Sequence, residues 1–384
     1  MLTSRINFIN FKQQKKNKKI KQLLNETLKN RNEVVQSLDK KYKNNYKINK
    51  LRKFKTSKNF KIIGMGGSTL GAQAIYDFLK PKIKKNFEFI DNLQPIRKKK
   101  DNKNYTNFII SKSGNTIETI ANSNILIKKK DKNIFITENK NNYLYLLAQK
   151  LKAEIIHHNN YIGGRYSVLS EVGMLPAEFM GLKTNNFKQL NNLIKNKNYL
   201  NCLISNVGSI IKFIKNKKYN SIIINYDENS ETIFKWYQQL VAESLGKKNQ
   251  GILPIISNMP KDNHSVMQLY LDGFKNNFFT FFYVHEKNSY KINNNLVMNS
   301  QKFLKNKNFS QIIYSQKKAT ENVFRRKKIP FRSFEIKKRD EKTLGELFCY
   351  FVLETILIGK YLKINPYDQP AVELIKKETK KILI

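Results

Sequence analysis

The chain has 384 residues, 40% hydrophobic and 12% aromatic, with fifteen Gly, eight Pro and two Cys. That excludes wholesale disorder, collagen-like repeats and a disulfide framework, and supplies apolar matter for two cores. Lys and Arg number 72 against 29 Asp and Glu, a formal charge of +43, a balance that usually points to nucleic acid or an anionic membrane. Only nine of the 72 are Arg. The Lys is scattered in short groups, such as 98–100 and 128–130, with no finger, RNP or basic-heptad pattern. No nucleic-acid partner is therefore expected, and the charge reads as a diffuse field that speeds encounter with a phosphorylated small molecule. The longest apolar stretch, 344–362, contains Glu346, Glu354 and Lys360 and reads as a buried helix, so no membrane partner is expected either. Isolated Cys202 and Cys349, and an N-terminus without a secretion signal, point to the cytoplasm. No Cys/His ligand spacing occurs, so no metal is expected.

Residues 1–55 read as a basic, partly helical lead-in without a clear strand. From Phe60 onward short apolar runs alternate with amphipathic stretches, the pattern of an α/β protein. Strands are predicted at 60–65, 87–91, 107–111, 133–137 and 154–158, and a second series at 221–226, 252–257, 278–284, 311–315 and 332–336. This gives a lead-in (1–55), a first α/β domain (56–185), a second of similar architecture (186–362) and a C-terminal helix (363–384). The Lys/Asn-rich stretch 286–308 reads as solvated loop or helix face.

Six segments carry chemistry. GMGGSTLG at 64–71 runs from a strand through Gly64, Gly66, Gly67 and Ser68 into a helix, a turn whose free N–H groups suit an anion. SKSGNTIET at 111–119 does the same with Ser111, Lys112, Ser113, Thr116 and Thr119 around Gly114. It is not a Walker A sequence, so it suits a phosphate group without implying a nucleoside triphosphate. YIGGRYS at 161–167 presents Arg165 from Gly163 and Gly164, a donor fork for a developing oxyanion. In KWYQQLVAESLG at 235–246, Glu243 lies at a helix C-terminal end, where the macrodipole favours a proton acceptor working near neutral pH. MPKDNHSV at 259–266 carries His264, one of four His and a candidate proton-transfer group. PYDQPAVELIKK at 366–377 reads as a terminal helix with Gln369, Glu373 and Lys376 on one face. Each also has a bland reading, as a tight turn, a capped helix, an ion pair or a solvated charged face.

Taken in order, these segments resemble the glucose-6-phosphate isomerase family, with two flavodoxin-like sugar isomerase (SIS) domains, each a parallel-rich sheet between helices. YIGGRYSVLSEVG and GKYLKINPYDQPAVELIKK match its two diagnostic segments, and SKSGNTIET its phosphate loop. The resemblance implies that Gly67, Ser68, Ser111, Lys112, Ser113, Thr116, Thr119, Gly164 and Gln369 bind a phosphorylated hexose. It implies that Arg165 faces the reacting carbons and that Glu243 moves the proton between C1 and C2 through a cis-enediolate. His264 and Lys376 would open the sugar ring, with His264 supplied by a second subunit of a homodimer and no cofactor needed. The activity implied is aldose–ketose interconversion of glucose 6-phosphate and fructose 6-phosphate, in glycolysis and gluconeogenesis. A non-catalytic phosphosugar-binding regulator on the same domains is the alternative.

Overall fold

The computed structural model describes residues 1–11, 17–95, 104–128 and 130–384. The basic group at 98–100 and Lys129 lie outside the described residues. The chain opens with strand β1 (Ile6–Ile9) and helices α1 (Lys18–Lys29) and α2 (Glu33–Gln36). A first sheet then forms from β2 (Asn59–Gly64), β3 (Asn86–Ile90), β4 (Tyr105–Ile110), β5 (Lys132–Thr137) and β6 (Glu154–His157), all parallel. Its inner strands β4 and β5 are buried almost throughout, as expected where helices cover both faces, while edge strand β3 mixes buried and exposed residues. Helices α3 (Leu70–Leu79), α4 (Ile117–Leu126) and α5 (Tyr143–Lys150) make the crossovers, and α6 (Glu171–Phe179), α7 (Leu190–Leu193) and α8 (Lys197–Lys215) lead out of the sheet.

The strand order is β3-β2-β4-β5-β6, which is second-first-third-fourth-fifth, the flavodoxin order. In such sheets ligands bind beyond the carboxyl ends of the strands where the order reverses. Here that point lies between β2 and β4, so the loops starting at Met65 and Ser111 flank it.

The second sheet contains β7 (Asn220–Asn225), β8 (Leu253–Asn258), β9 (Asn277–Val284) and β10 (Phe331–Ile336), in the order β1-β10-β9-β7-β8. Its four later strands are parallel, and β1 closes the edge antiparallel to β10, with Ile6 opposite Ile336. This corrects two sequence expectations. The lead-in does contain a strand, too short to stand out until a partner edge satisfies it. The strand expected at 311–315 lies instead inside α11 (Phe309–Arg326). Asn308 caps that helix in a reciprocal capping box with Gln311, a local signal that outweighs one short apolar run.

Helix α9 (Glu231–Leu245) follows β7, α10 (Met267–Asp272) follows β8, and α12 (Glu341–Tyr361) follows β10. As expected for 344–362, α12 is buried from Thr343 to Gly359. Its Glu354 accepts from Arg332 and Tyr237 in a dry network. Helix α9 packs on α3 of the first half, so one apolar core runs through both halves.

The corresponding reversal point of the second sheet, between β7 and β9, is closed by protein charges. Arg339 pairs with Asp227 at 2.7 Å and donates to Glu286 at 2.6 Å. It also donates to the Phe78 carbonyl at 3.1 Å, pinning α3 to the second sheet. The reversal point of the first sheet is therefore the one to inspect for a ligand.

Candidate active site

Gly64 is the last residue of β2 and stands opposite Ile110, the last of β4, so the two glycine-containing turns are neighbours. The second turn is shaped for an anion. Thr116 is the N-cap of α4, yet its side chain does not cap the helix. Its hydroxyl instead pairs with the Ser111 hydroxyl at 2.9 Å. The first-turn N–H groups are thus left for another acceptor, against the bland reading of an ordinary capped helix. Gly114 has φ +66°, and a Cβ there would lie 1.8 Å from Asn142 Oδ1, so glycine is required. Ser113 Oγ accepts from the Asn115 N–H at 3.3 Å. The buried Thr119 hydroxyl has no hydrogen-bond partner among the described residues.

Lys112 pairs with Glu138 at 3.7 Å. Burial lowers its pKa, Glu138 opposes that, and the Arg165 charge adds to the lowering.

In the first turn, Gly66 to Ser68 form one 3-10 turn and α3 begins only at Leu70, again with no side-chain cap. Ser68 is half-buried at the mouth. Gly67 lies against the backbone of Gly164 and Arg165; a Cβ on it would come within 2.2 Å of the Gly164 carbonyl carbon. The Ser167 hydroxyl closes this junction, donating to the Gly164 carbonyl at 2.7 Å and the Gly67 carbonyl at 3.4 Å.

Arg165 is buried, and its three guanidinium nitrogens are all engaged. Nε donates to Ser244 Oγ at 2.8 Å. Nη1 donates to Glu243 Oε2 at 3.2 Å and to Gln369 Oε1. Nη2 donates to the carbonyls of Pro366 (2.8 Å) and Asp368 (3.0 Å). The sequence expectation of a free donor fork is thereby corrected, because the fork is spent on protein acceptors. What remains is a fixed positive charge that orients Glu243 and Gln369.

Glu243, on the last turn of α9, is the partly open member of this group, its side chain 27% exposed. One oxygen faces Arg165, and the other accepts from Gln239 Nε2 at 3.1 Å, one turn earlier. Gln239 was not singled out from the sequence, though the i, i+4 spacing to Glu243 was the signal available. It also fills the space a Cβ on Gly66 would need, and so links the carboxylate to the first turn.

Gln369 joins Arg165, but not on a helix face shared with Lys376. Helix α13 begins only at Val372, because Pro370 disfavours helical backbone at the residue before it. Lys376 lies on that exposed helix and pairs with Glu373 at 2.6 Å. His264 ends a 3-10 turn, Lys261–His264, and is exposed. Among the described residues, no hydrogen bond or ion pair joins either one to Arg165 or Glu243. Hydrogen bonds thus join Arg165, Glu243 and Gln369 into one group, and none among the described residues joins His264 or Lys376 to it.

Among solved structures, a hypothetical protein from Thermus thermophilus superposes with a TM-score of 0.82 at 21% identity, covering 95% of this chain and 94% of that one. A glucose-6-phosphate isomerase from Chlamydia trachomatis gives 0.68 at 19%, covering 87% and 72%. These likenesses show a shared fold, two parallel-rich sheets, the first in flavodoxin order, built on one apolar core. In sequence, the glucose-6-phosphate isomerase of Methanocaldococcus jannaschii is 33% identical over 351 residues, 86% of this chain and 85% of that protein. That of Mycoplasmopsis pulmonis is 32% identical over 354 residues, 84% and 82%. The family model described as phosphoglucose isomerase matches residues 11–384. The chain belongs to the phosphoglucose isomerase family.

Proposed function

We propose that the chain interconverts glucose 6-phosphate and fructose 6-phosphate, with Glu243 carrying the proton between C2 and C1. The observation that carries this reading is the Glu243 carboxylate, partly open, held by Arg165 and Gln239, beside two uncapped helix N-termini. The phosphate occupies the turn from Ser111 to Thr119, with Ser68 and Gly67 on its flank. Binding this remote group supplies energy that orients the reacting end. The Glu243 carboxylate abstracts the C2 proton of the open-chain aldose, leaving a cis-enediolate, and returns it at C1. The fixed Arg165 charge stabilises the enediolate, and Gly164 and Gln369 line the reacting end.

Ring opening needs a separate acid–base pair, and we assign it to His264 and Lys376. Both are exposed in the single chain, and neither is hydrogen-bonded to Glu243 among the described residues, which supports a homodimer whose second subunit brings His264 to the site. The unpacked apolar side of α13, with Leu374, Ile375 and Leu383 each more than half exposed, fits a helix that a second copy covers. Purified protein given fructose 6-phosphate is expected to form glucose 6-phosphate. Phosphosugar binding without any turnover would instead favour the binding-only regulator.

A further inference from the structure

Residue Asn159 follows β6 by two positions and precedes Gly163 by four. Every polar group it has is engaged. Its N–H donates to Glu171 Oε1 at 2.6 Å, and Oδ1 accepts from the Tyr161 N–H at 2.9 Å. Its carbonyl accepts from His158 Nδ1 at 3.0 Å and from the Ile162 N–H at 3.3 Å. Nδ2 donates to Glu33 Oε2 at 3.1 Å and to the Tyr42 hydroxyl at 3.3 Å.

The last two partners come from the N-terminal segment, which grips the same loop at two further points. Asn45 Nδ2 donates to the His157 carbonyl at 3.2 Å. The buried Lys188 ammonium donates both to the Ser37 carbonyl, at 2.6 Å, and to the Leu169 carbonyl. Residues 33–45 are thus tied to both ends of the stretch 157–169, whose middle is Gly163-Gly164-Arg165. An apolar contact alone would not need so many directed bonds; those of Asn159 itself are all made, while His158 Nε2 and Glu171 Oε2 have no hydrogen-bond partner among the described residues, so the geometry is fixed at Asn159 rather than at its neighbours.

We propose that Asn159 is a positioning residue for Arg165, and that the N-terminal segment sets its position through Glu33 and Tyr42. The proposal rests on the isomerase reading for its kinetic consequence, because Arg165 in turn aims Glu243.

Asn159→Asp is nearly isosteric but turns a carboxylate toward Glu33, with Glu171 also close by. The expected result is a kcat lower by roughly 10- to 100-fold, the scale of a misplaced catalytic group, with KM for fructose 6-phosphate changed by less than about threefold because the phosphate seat is untouched. Adding Glu33→Gln gives an amide that can donate to the introduced carboxylate, remaking the bond in reverse, and should recover most of the lost kcat. A second readout does not depend on turnover. The single Trp of the chain, Trp236, donates its indole N–H to the Arg165 carbonyl at 3.0 Å. Its emission should shift in Asn159→Asp and return in the double variant. Unchanged kcat and emission in the single variant, or a double variant no better than the single, would overturn the proposal. Absence of turnover in the wild type would count against the isomerase reading instead, and the emission of the three proteins would still decide the positioning claim.

Discussion

Gly67 and Gly164 meet backbone to backbone, so closely that one added carbon on Gly67 would lie 2.2 Å from the Gly164 carbonyl carbon. This contact joins the turn after β2 to the segment presenting Arg165, and so fixes that turn against the group that holds Glu243. Gly67→Ala should force the two segments apart, since neither side of the clash is a flexible side chain. The expected outcome is a stability loss of about 1–3 kcal/mol and a fall in kcat, read by thermal unfolding and steady-state assay. An alanine variant with wild-type kcat would show that this spacing is not critical.

Replacing Arg165 by Lys keeps the charge but not the fork. One ammonium cannot reach Ser244, Glu243, Gln369 and the carbonyls of Pro366 and Asp368 together, so buried acceptors are left bare. Denaturant titration should show a loss of about 3–5 kcal/mol, the scale of a broken buried pair, and turnover should fall with it. Wild-type stability in this variant would mean that the loop from Pro366 to Gln369 is held by something else.

Two groups make the fold acid-sensitive in separate windows. Burial pushes His158 down to about 4, so the native state resists a proton that the unfolded chain takes up near pH 6.5. Stability is therefore lost as pH falls from about 6.5 to 4. Glu335 would be raised by its burial, but hydrogen bonds and charge from Lys317 and Lys318 outweigh this and hold it at about 2. Its contribution is present above the unfolded value near 4.5 and lost as pH falls toward 2, on the order of 3 kcal/mol in all. Melting temperature against pH should fall in both windows, and Lys317→Met should flatten the lower one. A variant with an unchanged acid limb would refute this assignment of Glu335.

A homodimer sharing His264 predicts complementation. Glu243→Gln and His264→Ala should each be nearly inactive alone. After mixing and exchange of subunits, heterodimers have one site with both residues intact, restoring about a quarter of wild-type activity. No recovery despite demonstrated exchange would place His264 in its own subunit's site or outside the site altogether.

The sequence disclosed the site more readily than the edges of the fold. The turns at Gly64–Ser68 and Ser111–Thr116 were legible as strand-to-helix turns, because a buried strand running into glycine and then a helix marks the carboxyl edge of a parallel sheet. The strand at Ile6–Ile9 was not, because its four residues are defined by a partner 330 positions away. The stretch 311–315 misled because a short apolar run fits strand and helix alike. Arg165 was identifiable as unusual, but its five acceptors come from α9 and from the Pro366–Gln369 loop, and no local pattern announces them. Gln239 and Asn159 were missed for the same reason, since their roles exist only once distant segments meet.

In the proposed reaction Glu243 moves a proton between adjacent carbons. The most direct measurement is isomerisation of fructose 6-phosphate in deuterated water, followed by proton NMR at C2 of the product. Deuterium is expected at C2 with the wild type, because a proton held on a partly open carboxylate exchanges with solvent. With Glu243→Gln, turnover and exchange should both fall by ~10²–10⁴-fold, while affinity for the phosphosugar is retained. Product formed without any deuterium, or a glutamine variant that still exchanges at the wild-type rate, would contradict it.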